Sequence, residues 1–208
     1  FYLASAGIGK LTLVDDDTVD FTNLQRQILH TQARVGMTKV ESGKQALEAI
    51  NPEINVVPLK TRLAGEALEQ LIASADVVLD CSDNFATRHA INRACVLHKK
   101  PLVSGAAIRF DGQISVYDLS NPESPCYHCL FPEGEDIEEV RCAVMGVFAP
   151  LTGIIGTMQA AEALKVVSGI GETLTGRLLL LDSLSMEWRS IRFKKDSACA
   201  VCGSHAKQ

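Results

Sequence analysis

Apolar and polar positions fall into two rhythms along the chain. Leu11-Thr12-Leu13-Val14 is a short apolar run that breaks off at Asp15-Asp16-Asp17, the pattern of a strand buried on both faces. Segment 38–50 places Val40, Ala46, Leu47 and Ile50 on one helical stripe. Asn51-Pro52 ends it, because the residue before a proline is steered out of the α region. A strand over 54–59, a short helix over 66–73, a strand over 77–79, an amphipathic helix over 86–98 and a strand over 101–104 follow. The strand at 77–79 also ends in a polar cluster, Asp80-Cys81-Ser82-Asp83-Asn84. Strands alternating with helices at this spacing predict βαβ units and parallel pairing. The rhythm then changes: 112–117, 178–181 and 187–193 read as antiparallel strands, with one long helix over 149–167 between them. The expected class is α/β, a Rossmann-like mostly parallel sheet followed by antiparallel strands, packed as one unit. Residues 1–7 read as the tail of a helix.

Composition narrows the class further. With 208 residues, 47% apolar and 22% charged, the chain is neither disordered nor fibrous and is long enough for a core without staples. Twenty basic against 25 acidic residues give a net charge of -5. With no basic run, this argues against a nucleic-acid partner or an anionic membrane surface. The 149–167 helix is long enough to span a bilayer, but Gln159, Glu162 and Lys165 make it a buried helix with one polar stripe. The first residues lack the basic region of a secretory signal. Seven cysteines, an odd number without such a signal, point to a reducing compartment, the cytoplasm, and to metal-binding or catalytic thiols.

Two pairs stand out, Cys126-Tyr127-His128-Cys129 and Cys199-Ala200-Val201-Cys202. A two-residue gap lets both thiolates of a pair face one ion, and four thiolates at tetrahedral corners suit zinc. With all four positions filled by protein, such a site is structural and ties the end of the chain to its middle. Neither pair is expected to open a helix as a redox pair would, and His128 is expected to stand by. Cys81 and Cys95 read as small core residues. Cys142 follows Arg141 and precedes a helix start, a setting that can lower a thiol pKa and make a nucleophile. Around it, 134–141 is acidic, lacks apolar periodicity and reads as a mobile crossover loop. Asp15, at a strand end, is placed to bind ribose hydroxyls in a nucleotide fold, or else belongs to a solvated turn.

Several segments together resemble the MoeB/ThiF family of adenylyltransferases, which activate ubiquitin-like sulfur-carrier proteins. They are Tyr2-Leu3-Ala4-Ser5-Ala6-Gly7-Ile8-Gly9, Asp15-Asp16-Asp17-Thr18-Val19, Thr22-Asn23-Leu24-Gln25-Arg26-Gln27, Gly36-Met37-Thr38-Lys39-Val40-Glu41, Asp80 to Asn84 and both cysteine pairs. The resemblance runs over essentially the whole chain, and Asn23-Leu24-Gln25-Arg26-Gln27 is its most specific stretch. It implies that the terminal glycine carboxylate of a carrier attacks the α-phosphate of ATP, giving an acyl-adenylate and pyrophosphate. Arg26 and Lys39 match the phosphate contacts, Asn23 a neighbouring polar contact and Asp15 the ribose acid. Asp83, beside Asn84, matches the acid that positions magnesium, so ATP, magnesium and zinc are the implied cofactors. Cys142 aligns with the cysteine that some members link covalently to the carrier. A homodimer, a carrier of the MoaD or ThiS type and a sulfurtransferase or cysteine desulfurase are the implied partners.

Residues 1–208 are thus expected to form a single ATP-binding adenylyltransferase domain. The family's Gly-x-Gly-x-x-Gly phosphate turn and first strand do not occur in the chain as given, so weak ATP binding is expected of it alone. Two rival readings remain. An inactive carrier-binding module would be expected to lose Arg26, Lys39 and Asp83, yet all three are present. A NAD-dependent oxidoreductase rests on the α/β pattern alone. The carrier is expected to be the one for molybdopterin synthesis, with thiamine synthesis as the alternative.

Overall fold

Parallel pairing comes first and antiparallel pairing second, in two units that are each compact. The structure, a computed structural model, describes residues 1–134 and 146–204. The units are Phe1–Leu63 and Ala64–Gln208.

In the first unit, α1 (Tyr2–Ser5) leads into β1 (Lys10–Val14), which pairs in parallel with β2 (Asn55–Leu59), from Lys10 opposite Asn55 to Val14 opposite Leu59. The crossover is α2 (Lys39–Ile50), whose first turn is capped by Thr38: its Oγ1 accepts from the Glu41 amide at 3.3 Å. Such a cap satisfies one of the amides a helix start leaves without a partner. α2 buries Val40, Ser42, Gly43 and Leu47, and Leu47 joins Ala4, Ile54 and Val56 in a small apolar core. Truncating Leu47 to alanine would cost about 2–5 kcal/mol. Between β1 and α2 the chain makes two 3-10 turns, Phe21–Asn23 and Gln32–Arg34. Buried His30 fastens this segment to α2, its Nδ1 lying 2.8 Å from Ser42 Oγ.

The second unit holds α3 (Gly65–Ala73), β3 (Val78–Asp80), α4 (Phe85–His98), β4 (Leu102–Ile108), β5 (Asp111–Tyr117), α5 (Tyr127–Leu130), α6 (Ala149–Ser168), β6 (Arg177–Asp182) and β7 (Glu187–Arg192). Its sheet runs β3-β4-β5-β6-β7. β3 and β4 are parallel, and the remaining neighbours are antiparallel. The expected α/β class therefore stands. β4 extends four residues beyond the expected end at 104, because β5 returns after Arg109 and Phe110 and pairs along its full length. The small residues Gly105, Ala106 and Ala107 carry no strand signal of their own, so pairing supplies it.

α6 buries one face rather than its whole surface, and the polar residues the pattern singles out lie on or beside that face. Gln159 and Glu162 are buried in it. Glu162 accepts from the Leu174 amide at 2.8 Å and pairs with Lys165, which leaves the buried carboxylate partnered. Among the described residues, no helix is long and apolar enough to cross a membrane.

Candidate active site and metal centre

The acids after β1 surround a lysine. Lys39, the first residue of α2, places Nζ 2.7 Å from Asp17 Oδ2 and 3.8 Å from Asp15 Oδ2. Asp15 Oδ1 also accepts from the Asp17 amide at 2.8 Å, which folds the acidic stretch back on itself. The Lys39 side chain is 14% exposed while that of Asp15 is 40% exposed. A half-buried carboxylate therefore sits beside a largely covered cation, and both lie at the carboxyl end of a parallel strand, where open α/β sheets bind ligands. Asn23 ends a 3-10 turn in the same unit, and Arg26 follows it. The Asn23 side chain accepts from the Asp20 amide at 3.3 Å, and the Arg26 guanidinium donates to the Thr22 carbonyl at 3.3 Å. The Asp15–Lys39 juxtaposition spans 24 positions of sequence and had no signal outside the family resemblance.

The strand end after β3 is built differently. Asp80 is 1% exposed. Its Oδ1 accepts from the Ser82 amide at 2.9 Å and the Ser82 hydroxyl at 2.7 Å, and its Oδ2 lies 3.3 Å from the Ser104 hydroxyl. Arg88, buried on α4, donates to the Ser82 carbonyl. Asn84 caps α4 by accepting from the Thr87 amide at 2.8 Å. Asp83, between these anchored residues, is exposed, and its Oδ1 takes a hydrogen bond from Asn84 Nδ2 at 3.4 Å. An accessible carboxylate oxygen on a held turn is the hard donor that magnesium takes.

Cys126, Cys129, Cys199 and Cys202 converge, with all four sulfurs within 4.8 Å of one another. Sulfur separations of 4.0 Å (126–129), 3.8 Å (126–199) and 3.4 Å (129–202) match the edge of about 3.8 Å for a tetrahedron of sulfurs bound at ~2.3 Å. The four thiols fit zinc. Asn92, fully buried on α4, donates to Cys126 Sγ at 3.6 Å and accepts from the Tyr127 amide at 2.9 Å. The Asp196 amide donates to Cys129 Sγ at 3.5 Å. The hydrogen bond from Cys126, helped by that amide, holds Cys129 down to about 4, while the same hydrogen bond and burial push Cys126 up. Gly203 closes the second pair: its amide bonds the Cys199 carbonyl at 2.8 Å, and a Cβ there would lie 2.5 Å from that oxygen.

Two expectations need correction. The first pair does open a helix, for Cys126 is the N-cap of α5. That helix is a single turn and serves the cluster. Cys81 is exposed rather than a core residue, whereas Cys95 is fully buried as expected. His128, as expected, is not one of the four clustered ligands, although its Nδ1 is 3.4 Å from Cys199 Sγ. Cys142 and the acidic stretch 135–141 lie outside the described residues.

These features have relatives. The ThiF family pattern matches residues 1–201. The chain belongs to the ThiF family. It is 47% identical to the molybdopterin-synthase adenylyltransferase of Escherichia coli K12, over 97% of this chain and 80% of that protein. It is 48% identical to the sulfur carrier protein ThiS adenylyltransferase of the same organism, over 97% of this chain and 79% of that protein. The adenylyltransferase and sulfurtransferase MOCS3 of Aedes aegypti is 45% identical over 98% of this chain, which spans 47% of its length. In fold the chain is similar to E. coli MccB solved with ATP, at a TM-score of 0.82 and 24% identity, covering 96% of this chain and 61% of that one.

Proposed function

We propose that this ThiF-family chain catalyses ATP-dependent adenylation of the C-terminal glycine of a ubiquitin-like sulfur-carrier protein of the MoaD type, for later sulfur transfer in molybdenum cofactor biosynthesis. The observation that carries the reading is the near-full-length likeness to two adenylyltransferases, together with a covered lysine beside a half-buried aspartate at a strand's carboxyl end. A glycine carboxylate oxygen forms a bond to the α-phosphorus, and the bond from that phosphorus to the bridging oxygen breaks. Pyrophosphate leaves with the electron pair.

Charge builds on the phosphate oxygens in that step, so fixed cations supply most of the acceleration. Lys39 and Arg26 are the cations of this chain assigned to the phosphates, Asn23 the polar contact beside them and Asp15 the ribose acid. Asp83, with Asn84, is assigned to magnesium, which when bound would neutralise phosphate charge. Cys126, Cys129, Cys199 and Cys202 would hold a zinc ion that takes no part in the reaction. The reading treats 1–208 as one adenylyltransferase domain, acting in the cytoplasm as a homodimer, with a sulfurtransferase or cysteine desulfurase taking up the activated carrier.

A ThiS-type carrier in thiamine biosynthesis is the second reading, favoured by the 48% identity to the ThiS enzyme. Incubating the full-length protein with ATP, magnesium and each carrier, then weighing the carrier intact, tests the proposal. One carrier should gain a single adenylate, and a carrier lacking its terminal glycine should gain none. No adenylated carrier of either type would refute it.

A further inference from the structure

We propose that Gln159 is a positioning residue for Asp83, acting as an internal staple under the strand ends that carry it. This rests on the assignment of Asp83 to the adenylation reaction. Gln159 is 3% exposed on α6. Its Nε2 donates to two backbone carbonyls, Asp80 at 2.8 Å and Val103 at 3.2 Å, joining the carboxyl end of β3 to the first residues of β4. Its Oε1 accepts from the Cys81 thiol at 3.6 Å.

The slot for this amide is made by a missing side chain. A Cβ on Gly105 would lie 2.5 Å from the amide carbon and oxygen of Gln159 and 2.9 Å from its nitrogen, so only glycine lets the amide lie against β4. The staple continues upward through Asp80, whose carboxylate holds the Ser82 amide and hydroxyl while Arg88 holds the Ser82 carbonyl. Every polar group of Ser82 is thereby fixed, one residue before Asp83. Partners behind a metal ligand commonly set its affinity, and their loss costs roughly 10–100-fold.

Two variants attack the staple from opposite sides. Gln159→Met keeps the volume and removes the amide, whereas Gly105→Ala leaves the amide but drives it out of its slot. In the full-length protein either should speed amide hydrogen exchange across 80–84 by about tenfold or more, and raise the magnesium concentration for half-maximal ATP–pyrophosphate exchange about tenfold. Excess magnesium should restore the rate, and the KM for the carrier should not change. If Gln159→Met does not fold, Gly105→Ala poses the same question. A folded variant with unchanged amide exchange and an unchanged magnesium midpoint would overturn the proposal. A parent protein without ATP–pyrophosphate exchange would instead count against the adenylation reading. The amide-exchange arm would then still decide whether Gln159 orders the turn.

Discussion

Asp15 and Asp80 each stand at the carboxyl end of a parallel strand, followed by further polar residues, yet their surroundings are opposite. The Asp15 side chain is 40% exposed beside Lys39, and its remaining polar capacity faces solvent. Asp80 is 1% exposed and spends its oxygens on Ser82 and Ser104. The first acid is placed to meet a ligand. The second supports a turn whose next acid, Asp83, is exposed. A ligand-facing carboxylate should matter to activity more than to stability, and a buried supporting carboxylate should matter to both.

The largest effects should appear in the reaction. Lys39→Ala and Asp83→Asn should each lower ATP–pyrophosphate exchange by about 100-fold or more, the scale of losing one charge-stabilising group at a developing oxyanion. Both should leave the thermal midpoint nearly unchanged. Retained exchange in Lys39→Ala would break the assignment of the first strand end.

Metal loss comes next. Cys126→Ser or Cys202→Ser should release about one zinc per chain, as read by metal analysis. A loss of about 4 kcal/mol would lower the melting temperature of a chain this size by roughly 8–16 °C. A chain that holds no zinc, or whose stability ignores a chelator, would remove the metal centre from the account.

The comparison sharpens most in the stability of the two acids themselves. Asp80→Ala should cost about 1–3 kcal/mol in denaturant unfolding, because the Ser82 and Ser104 donors lose their acceptor in a buried place. Asp15→Ala should cost under about 1 kcal/mol, since an exposed ion pair is screened by water, while weakening ATP binding. Equal costs would mean that the two strand ends are alike after all.

The sequence showed both acidic ends because apolar runs stop abruptly there, and it showed the metal centre because the Cys-x-x-Cys spacing is itself the ligand geometry. It could not show which acid is buried. That depends on Ser104 and Gln159, which reach Asp80 across 24 and 79 positions. Gly105 gave no warning either, since a glycine kept for a distant side chain looks like any other glycine. Cys81 departs from the core place expected of it because β3 ends at Asp80, and Cys81 opens the polar turn that follows. The one-turn helix after Cys126 is too short for any periodic signal.

The smallest expected effect is a pH dependence in the first unit. Burial, with Lys39 and Arg34 nearby, holds His30 below its ordinary value, so folding favours the neutral ring. The stability it contributes is full above the unfolded value of about 6.5 and is lost as pH falls through the lower folded value. His30→Gln should flatten that part of the acid-unfolding curve. An unchanged curve would show that His30 does not titrate with folding.

ATP–pyrophosphate exchange, measured on the full-length protein with MoaD-type and ThiS-type carriers in turn, tests the central claim most directly. Exchange should depend on one carrier and on the carboxylate of its terminal glycine. A folded, zinc-loaded protein that exchanges pyrophosphate with neither carrier would contradict it and leave a carrier-binding module in its place.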